Sequence, residues 1–284
     1  MNIRRIAAFS NGNTGGNPAG VWIGSFLPEE VEMQQIAANL GFSETVFAAS
    51  AGGFWRVRYF SPECEVPFCG HATIALGAVL AIENGDGVFN LQLNTANITV
   101  EGHHDGTMIR AALQSPPTHS TLADTELVSK ALALFTIPAK ALNNTIPPAI
   151  IHGGANHLVL AINSRDTLRS MTYDLSFGKA FMKANNLTTI LLINSQTPRL
   201  FHARNAFASG GIYEDPATGA AAAAFAGYLN DISWPHEGSI DIVQGEDMGM
   251  RSLLHAEIPS LPSSSIRVSG SVRIMDPGEK PFLV

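Results

Sequence analysis

The sequence predicts an α+β protein of two pseudo-symmetric lobes, each a curled, barrel-like antiparallel β-sheet around a central buried helix. Three observations predict it. The stretch Glu65–Leu80, EVPFCGHATIALGAVL, is echoed at Glu214–Leu229, EDPATGAAAAAFAGYL. The two align without a gap at a constant offset (214 − 65 = 149), which brings Glu65 onto Glu214, Pro67 onto Pro216, Gly70 onto Gly219 and Leu80 onto Leu229. One repeat of so long a period means two similar halves. Next, Thr73–Ile82 and Ala220–Leu229 are apolar on every side, so each is a helix buried all round. Both are shorter than the ~20 residues of a membrane span. Last, the rest of each half is rich in short strand-like runs, which wrap the helix most simply as a curled antiparallel sheet.

In chain order, Asn2–Phe9 reads as a strand and Asn11–Gly20 (NGNTGGNPAG) as a glycine-rich loop. That loop lacks the Gly-Lys-Ser/Thr ending of a phosphate loop and the G-x-G-x-x-G of a dinucleotide site. Leu27–Asn39 is a helix, with Pro28, Glu29 and Glu30 at its start and Gly41 just past its end. Phe42–Ala48 (FSETVFA) and Phe54–Phe60 (FWRVRYF) are strands by their β-branched and aromatic content. Leu91–Glu101 and Met108–Leu113 form a hairpin around Gly102–Gly106, with His103 and His104 as loop residues. A metal reading of that histidine pair is the weaker one, because neighbouring strand side chains point opposite ways. The Pro- and Ser-rich Gln114–Asp124 is the domain boundary. It gives a first lobe of residues 1–115, joined by the closing strand 270–284, and a second lobe of residues 116–269. In the second lobe Thr125–Leu134 and Phe177–Asn185 are helices. Ala149–Ile162, Thr189–Ile193, Ile240–Val243 and Ser252–Ile258 are strands, and Phe201–Ala206 leads into the repeat. Ala149–Ile162 takes the place that FSETVFA holds in the first half. Pro259–Ser265 is a linker and Ile266–Met275 a closing strand pair.

With 284 residues, 45% of them hydrophobic and 14% charged, the chain can bury a sizeable core. A formal charge of −7 and the lack of any basic run argue against a nucleic-acid partner. The start, MNIRRIAAFS, holds no apolar stretch of signal length. Two cysteines, Cys64 and Cys69, do not make a disulfide framework. The expected location is the cytoplasm.

Each copy of the repeat couples a proline and a glycine to a helix start. The glycine lets backbone amides turn towards a ligand. The helix start leaves its first N–H groups unpaired and carries partial positive charge, which makes it an anion site. Two such starts could hold an acidic small molecule between them; alternatively each glycine only caps or packs its helix. Glu44 shares a strand face with Phe42 and Val46. A carboxylate there is costly unless paired or held neutral. It is either exposed on an edge strand or a proton-transfer group tuned by its surroundings. Cys69 sits at a helix start, where a thiol loses its proton more easily; alternatively it is a small packed residue.

FSETVF, PFCGHAT, EDPATGAA, QGEDMG and IRVSGSV, in this order and spacing, together with the early GNPAGVW, resemble the phenazine-biosynthesis PhzF-like isomerases over residues 2 to 275. The resemblance implies the diaminopimelate-epimerase-like fold with its site in the cleft between lobes. It implies an isomerase that moves a proton on a small carboxylic acid and needs no cofactor and no metal. The family's acid/base glutamate falls on Glu44, its G-H histidine on His71 and its E-D-P aspartate on Asp215. Gly70 and Gly219 fall on backbone positions that face substrate, and Ser43, Cys69 and Thr218 complete the expected substrate-binding set. Ala220 departs from relatives that carry a serine there, which leaves the substrate open. A homodimer is what the resemblance suggests. Two other readings remain: a cysteine-dependent racemase, for which Thr218 in the second copy offers no partner thiol to Cys69, and a non-catalytic small-molecule binder of the same fold.

Overall fold

The computed structural model describes residues 3–276, 278 and 279. Asn2 and the closing residues 280–284, both part of expected strands, lie outside the described residues. The chain divides into two compact units: one runs to Gln114 and resumes at Ser269, the other is Ser115–Val268.

The first stretch of chain holds β1 (Arg4–Ala8), β2 (Asn17–Gly24), α1 (Glu30–Leu40), β3 (Glu44–Ser50), β4 (Trp55–Phe60), β5 (Glu65–Val66), α2 (Gly70–Asn84), β6 (Gly87–Gln92), β7 (Asn97–His104) and β8 (Ile109–Pro117). Then come β9 (His119–Leu122), α3 (Thr125–Leu134), β10 (Ala149–His152), β11 (Asn156–Ala161), α4 (Arg165–Arg169), α5 (Leu175–Ala184), β12 (Thr189–Thr197), β13 (Leu200–Ala206), α6 (Gly219–Asp231), β14 (Ser239–Gln244), β15 (Ser252–Glu257) and β16 (Ser265–Ile274).

In the first unit the order β1-β2-β3-β4-β6-β7-β8-β16 closes on itself through the pairing of β16 with β1, an eight-stranded barrel. The second unit's sheet runs β15-β14-β13-β12-β11-β10-β9. A curled sheet round a buried helix is therefore found, but the expectation of purely antiparallel strands is corrected. β2 and β3, β4 and β6, β11 and β12, and β13 and β14 pair in parallel. The reason is connectivity, since parallel neighbours need a crossover. α1 joins the first of these pairs, α2 the second, α4 and α5 the third, and α6 the fourth.

α2 is buried on every side from His71 to Ala81, and α6 from Ala221 to Leu229. The apolar sequence pattern thus has its physical cause. Side chains such as Ile74, Leu76 and Leu80, none of them exposed, are each stabilised by about 1.5–3 kcal/mol on leaving water. α2 lies so close to β7 that a Cβ on Gly102 would sit 2.2 Å from the Gly77 carbonyl oxygen. In the second unit Phe201 of β13 meets Phe225 of α6 edge-on, with ring centroids 5.0 Å apart. The other face of that sheet carries a second core, with Leu158, Leu160, Ile190 and Leu192 under Leu127 and Met182. Among the described residues no helix is long and apolar enough to cross a membrane.

Three local expectations are corrected, and a fourth is refined. Leu91–Glu101 is not one strand but parts of β6 and β7, turning where the Leu93 N–H meets the Ala96 carbonyl. His103 and His104 then end β7 instead of lying in its loop. The division between the units falls inside the expected boundary Gln114–Asp124, but that stretch is largely strand and not a loose linker, since β8 continues to Pro117 and β9 starts at His119. Ile266–Met275 falls almost entirely within the single strand β16, so its Ser-Gly-Ser makes no turn.

Candidate active site

Glu44 opens β3, which lies between β2 and β4, so it is no edge residue. Its position follows from the end of α1. There the Gly41 N–H bonds the Ala37 carbonyl, and Phe42 packs on Ala7 before the strand begins. Cys69 is the N-cap residue of α2, in extended conformation, and its side chain makes no cap hydrogen bond. Thr73 donates to the Cys69 carbonyl at 2.7 Å, and the Tyr59 hydroxyl lies 2.7 Å from Thr73 Oγ1. This chain of bonds holds the helix start.

Around it the first unit gathers four expected side chains. His71 Nε2 is 3.4 Å from Glu44 Oε2 and 3.4 Å from Ser43 Oγ, and His71 Nδ1 is 3.4 Å from Cys69 Sγ. Glu44 is 9% exposed, Cys69 8% and His71 5%. Burial holds the His71 imidazole below its usual pKa, while the Glu44 carboxylate and the Pro18 carbonyl pull the other way. The ring is therefore neutral near pH 7, with one N–H to donate and one nitrogen lone pair.

The second unit builds a different group at the start of α6. The Thr218 hydroxyl donates to Asp215 Oδ2 and accepts from Asn205 Nδ2. Gln244 Nε2 donates to the Asp215 carbonyl at 2.7 Å and to Thr218 Oγ1 at 3.1 Å, and Gln244 Oε1 accepts the Thr218 N–H at 3.3 Å. The next residue, Gly245, has φ +70°, and a Cβ there would lie 2.7 Å from the Pro216 carbonyl oxygen. Only glycine lets that turn approach the helix start so closely. Asp215 is 4% exposed, and Gly219 is the first residue of the helix.

A family-level profile described as phenazine biosynthesis-like protein, PhzC-PhzF, matches residues 6–276. The chain belongs to the PhzF family. It is 30% identical over 273 residues to an uncharacterized isomerase of Clostridium acetobutylicum, covering 90% of this chain and 89% of that one. It is 28% identical over 272 residues to the trans-2,3-dihydro-3-hydroxyanthranilate isomerase of Pseudomonas fluorescens, covering 94% and 93%. Its fold matches the Bacillus anthracis PhzF-family phenazine biosynthesis protein with a TM-score of 0.84, at 19% identity and 96% coverage of both chains. The fold is thus the diaminopimelate-epimerase-like one, and the chain is a PhzF-family isomerase.

Within this PhzF-family chain the two halves can be aligned residue by residue. Arg58 pairs with Glu65, and Arg204 with Glu214, the two glutamates that open the repeat. Arg58 thus corresponds to Arg204 and Tyr59 to Asn205. Tyr59 opposes Val46 on β3, and Asn205 opposes Leu191 on β12. The counterpart of FSETVFA is therefore β12, not the Ala149–Ile162 stretch, whose β11 matches β2. Stepping two residues back along each strand, Thr189 stands where Glu44 stands. Thr189 opposes His157 as Glu44 opposes Ala19. Asn205 and Gln244 were not among the expected site residues. Gln244 had a visible signal in QGEDMG; Asn205 had none, because only the folded strand aims it at Thr218.

Proposed function

We propose that this isomerase moves a proton on a small carboxylic acid without a cofactor, with Glu44 as the acid/base. Glu44 takes the proton from a carbon next to an unsaturated or carboxylated system and returns it elsewhere on the same face, so no atom is gained or lost. The observation that carries this reading is the position of the carboxylate, 3.4 Å from a neutral imidazole and beside a helix start. His71 and Asp215 orient the substrate, and the first amides of α2, from Gly70 on, stabilise developing negative charge. Asp215, Thr218 and Gly219 remain the substrate-side groups of the second unit, with Ser43 and Cys69 beside His71 in the first.

A single acid/base is supported over a two-base racemase. The position equivalent to Glu44 carries Thr189, and the one equivalent to Cys69 carries Thr218, so the second half repeats neither group. The name of the Pseudomonas fluorescens relative supports a cyclic hydroxy acid as the first substrate to try. A homodimer belongs to the same reading, and sedimentation at monomer mass alone would remove it.

The deciding experiment is solvent deuterium uptake in heavy water with trans-2,3-dihydro-3-hydroxyanthranilate, diaminopimelate and proline derivatives, read by mass spectrometry. Uptake lost in Glu44→Gln is expected. Uptake that persists in that variant would falsify the assignment, and tight binding of an acid without any uptake would favour a binding protein.

A further inference from the structure

Cys69, His71 and Glu44 each present one ligand-type atom, and the three lie within 4.8 Å of one another, all buried. They join two elements: Glu44 opens β3, and the other two sit at the start of α2. A tetrahedral ion of the zinc class, with bonds of about 2.0–2.3 Å, places neighbouring ligands about 3.3–3.8 Å apart. The observed separations are 3.4 Å from His71 Nε2 to Glu44 Oε2 and 3.9 Å from Cys69 Sγ to His71 Nε2. The third pair, Cys69 and Glu44, lies within 4.8 Å, so side-chain shifts of about 1 Å would bring all three onto one ion.

The local chemistry suits such an ion as well. The Pro18 carbonyl also faces the imidazole and can accept the N–H of one ring nitrogen while the other keeps its lone pair. A carbonyl in that role is the usual support of a metal-bound histidine. Sulfur, imidazole and carboxylate together favour zinc and its thiophilic neighbours over magnesium or calcium, which take oxygen ligands.

We propose that Cys69, His71 and Glu44 bind a thiophilic divalent cation of the zinc class, and that the bound ion stops turnover by occupying the Glu44 carboxylate. On binding, the Cys69 S–H bond breaks, its proton passes to solvent, and sulfur bonds the metal; a water completes the coordination. Nothing is oxidised or reduced. The binding stands by itself, whereas the inhibition rests on the proton-transfer role proposed for Glu44.

The test titrates cobalt(II) into the full chain under a phosphine reductant. The expected result is a thiolate-to-cobalt charge-transfer band that saturates at one equivalent per chain and is displaced by zinc. The chain has only two cysteines, and the other, Cys64, is exposed. The band should survive Cys64→Ser and vanish in Cys69→Ser and Cys69→Ala, with circular dichroism and melting confirming that the variants fold. No band at saturating cobalt, or a band that outlasts the loss of Cys69, overturns the site. A second arm adds one equivalent of zinc to the deuterium-uptake reaction. Uptake should fall to near zero and return with a chelator. Full uptake at a zinc concentration that displaces the cobalt band completely overturns the inhibition. If no acid supports uptake even without zinc, the proposed reaction fails while the cobalt band still decides the cation site.

Discussion

Arg204 holds Glu214 through a two-pronged ion pair in which Nε donates to Oε1 at 3.0 Å and Nη2 donates to Oε2. The third guanidinium nitrogen donates to the carbonyls of Arg169 and Met171 at 2.8 and 3.0 Å. The side chains are 9% and 2% exposed. The first half repeats the device, with Arg58 Nε donating to Glu65 Oε1 at 2.7 Å and Nη2 to Oε2 at 2.6 Å, but there the side chains are 17% and 24% exposed. Each pair ties the strand before the central helix to the segment that opens it.

Burial makes the two clamps unequal. Removing one partner of a buried pair strands a charge and costs about 3–5 kcal/mol, while a wetter pair is screened and is worth about 1 kcal/mol or less. Glu214→Gln should therefore lower unfolding stability by several times the effect of Glu65→Gln in denaturant titrations. Equal losses from the two variants would contradict this.

Glu44→Gln keeps the side-chain shape and removes the proposed base. A positioned acid/base is worth about 10²–10⁴ in rate, so turnover should fall by that order while the thermal midpoint stays close to that of the parent. A collapse of the midpoint would instead make Glu44 a structural residue.

His157 is fully buried, with Nδ1 2.7 Å from Thr189 Oγ1. Burial, aided by His152, pushes its imidazole down to about 3. In the unfolded chain the same group titrates near about 6.5. Between these values the unfolded chain binds the extra proton, so stability is complete above about 6.5 and declines as pH falls towards 3. Acidification from pH 7 to pH 5 should cost roughly 2 kcal/mol through this residue. His157→Gln should lack that increment, so the difference between the two pH slopes, measured by urea unfolding, isolates it from the carboxylates. Identical slopes would rule it out.

Gly102→Ala forces a methyl against the backbone of α2, 2.2 Å from the Gly77 carbonyl oxygen. Neither the helix nor β7 can give way cheaply, and overpacking of this kind costs about 1–3 kcal/mol or more. Gly87→Ala on β6 meets nothing within 4 Å and should be near neutral. A clear fall in thermal midpoint for the first and little change for the second is the expected pattern.

The repeat, the buried helices and the helix starts at Gly70 and Gly219 were all legible in the chain itself. The reason is that a helix with no polar face, next to a Pro-Gly start, admits few placements. The side-chain identities of Glu44, His71 and Asp215 could likewise be read from motifs. What the chain alone misjudged was strand direction, expected to be antiparallel throughout, because a helical crossover between parallel neighbours shows only once the strand pairing is traced. The parallel pairs β2–β3 and β13–β14 came only from the fold. Whether Glu44 is exposed or buried was also a tertiary matter, decided by neighbours on both sides of β3. So was the meeting of Cys69, His71 and Glu44 within 4.8 Å. So too was the equivalence of Thr189 with Glu44, which depends on sheet register and not on any similarity of sequence. Local pattern settles what each segment can be; only long-range pairing settles which side chains share one space.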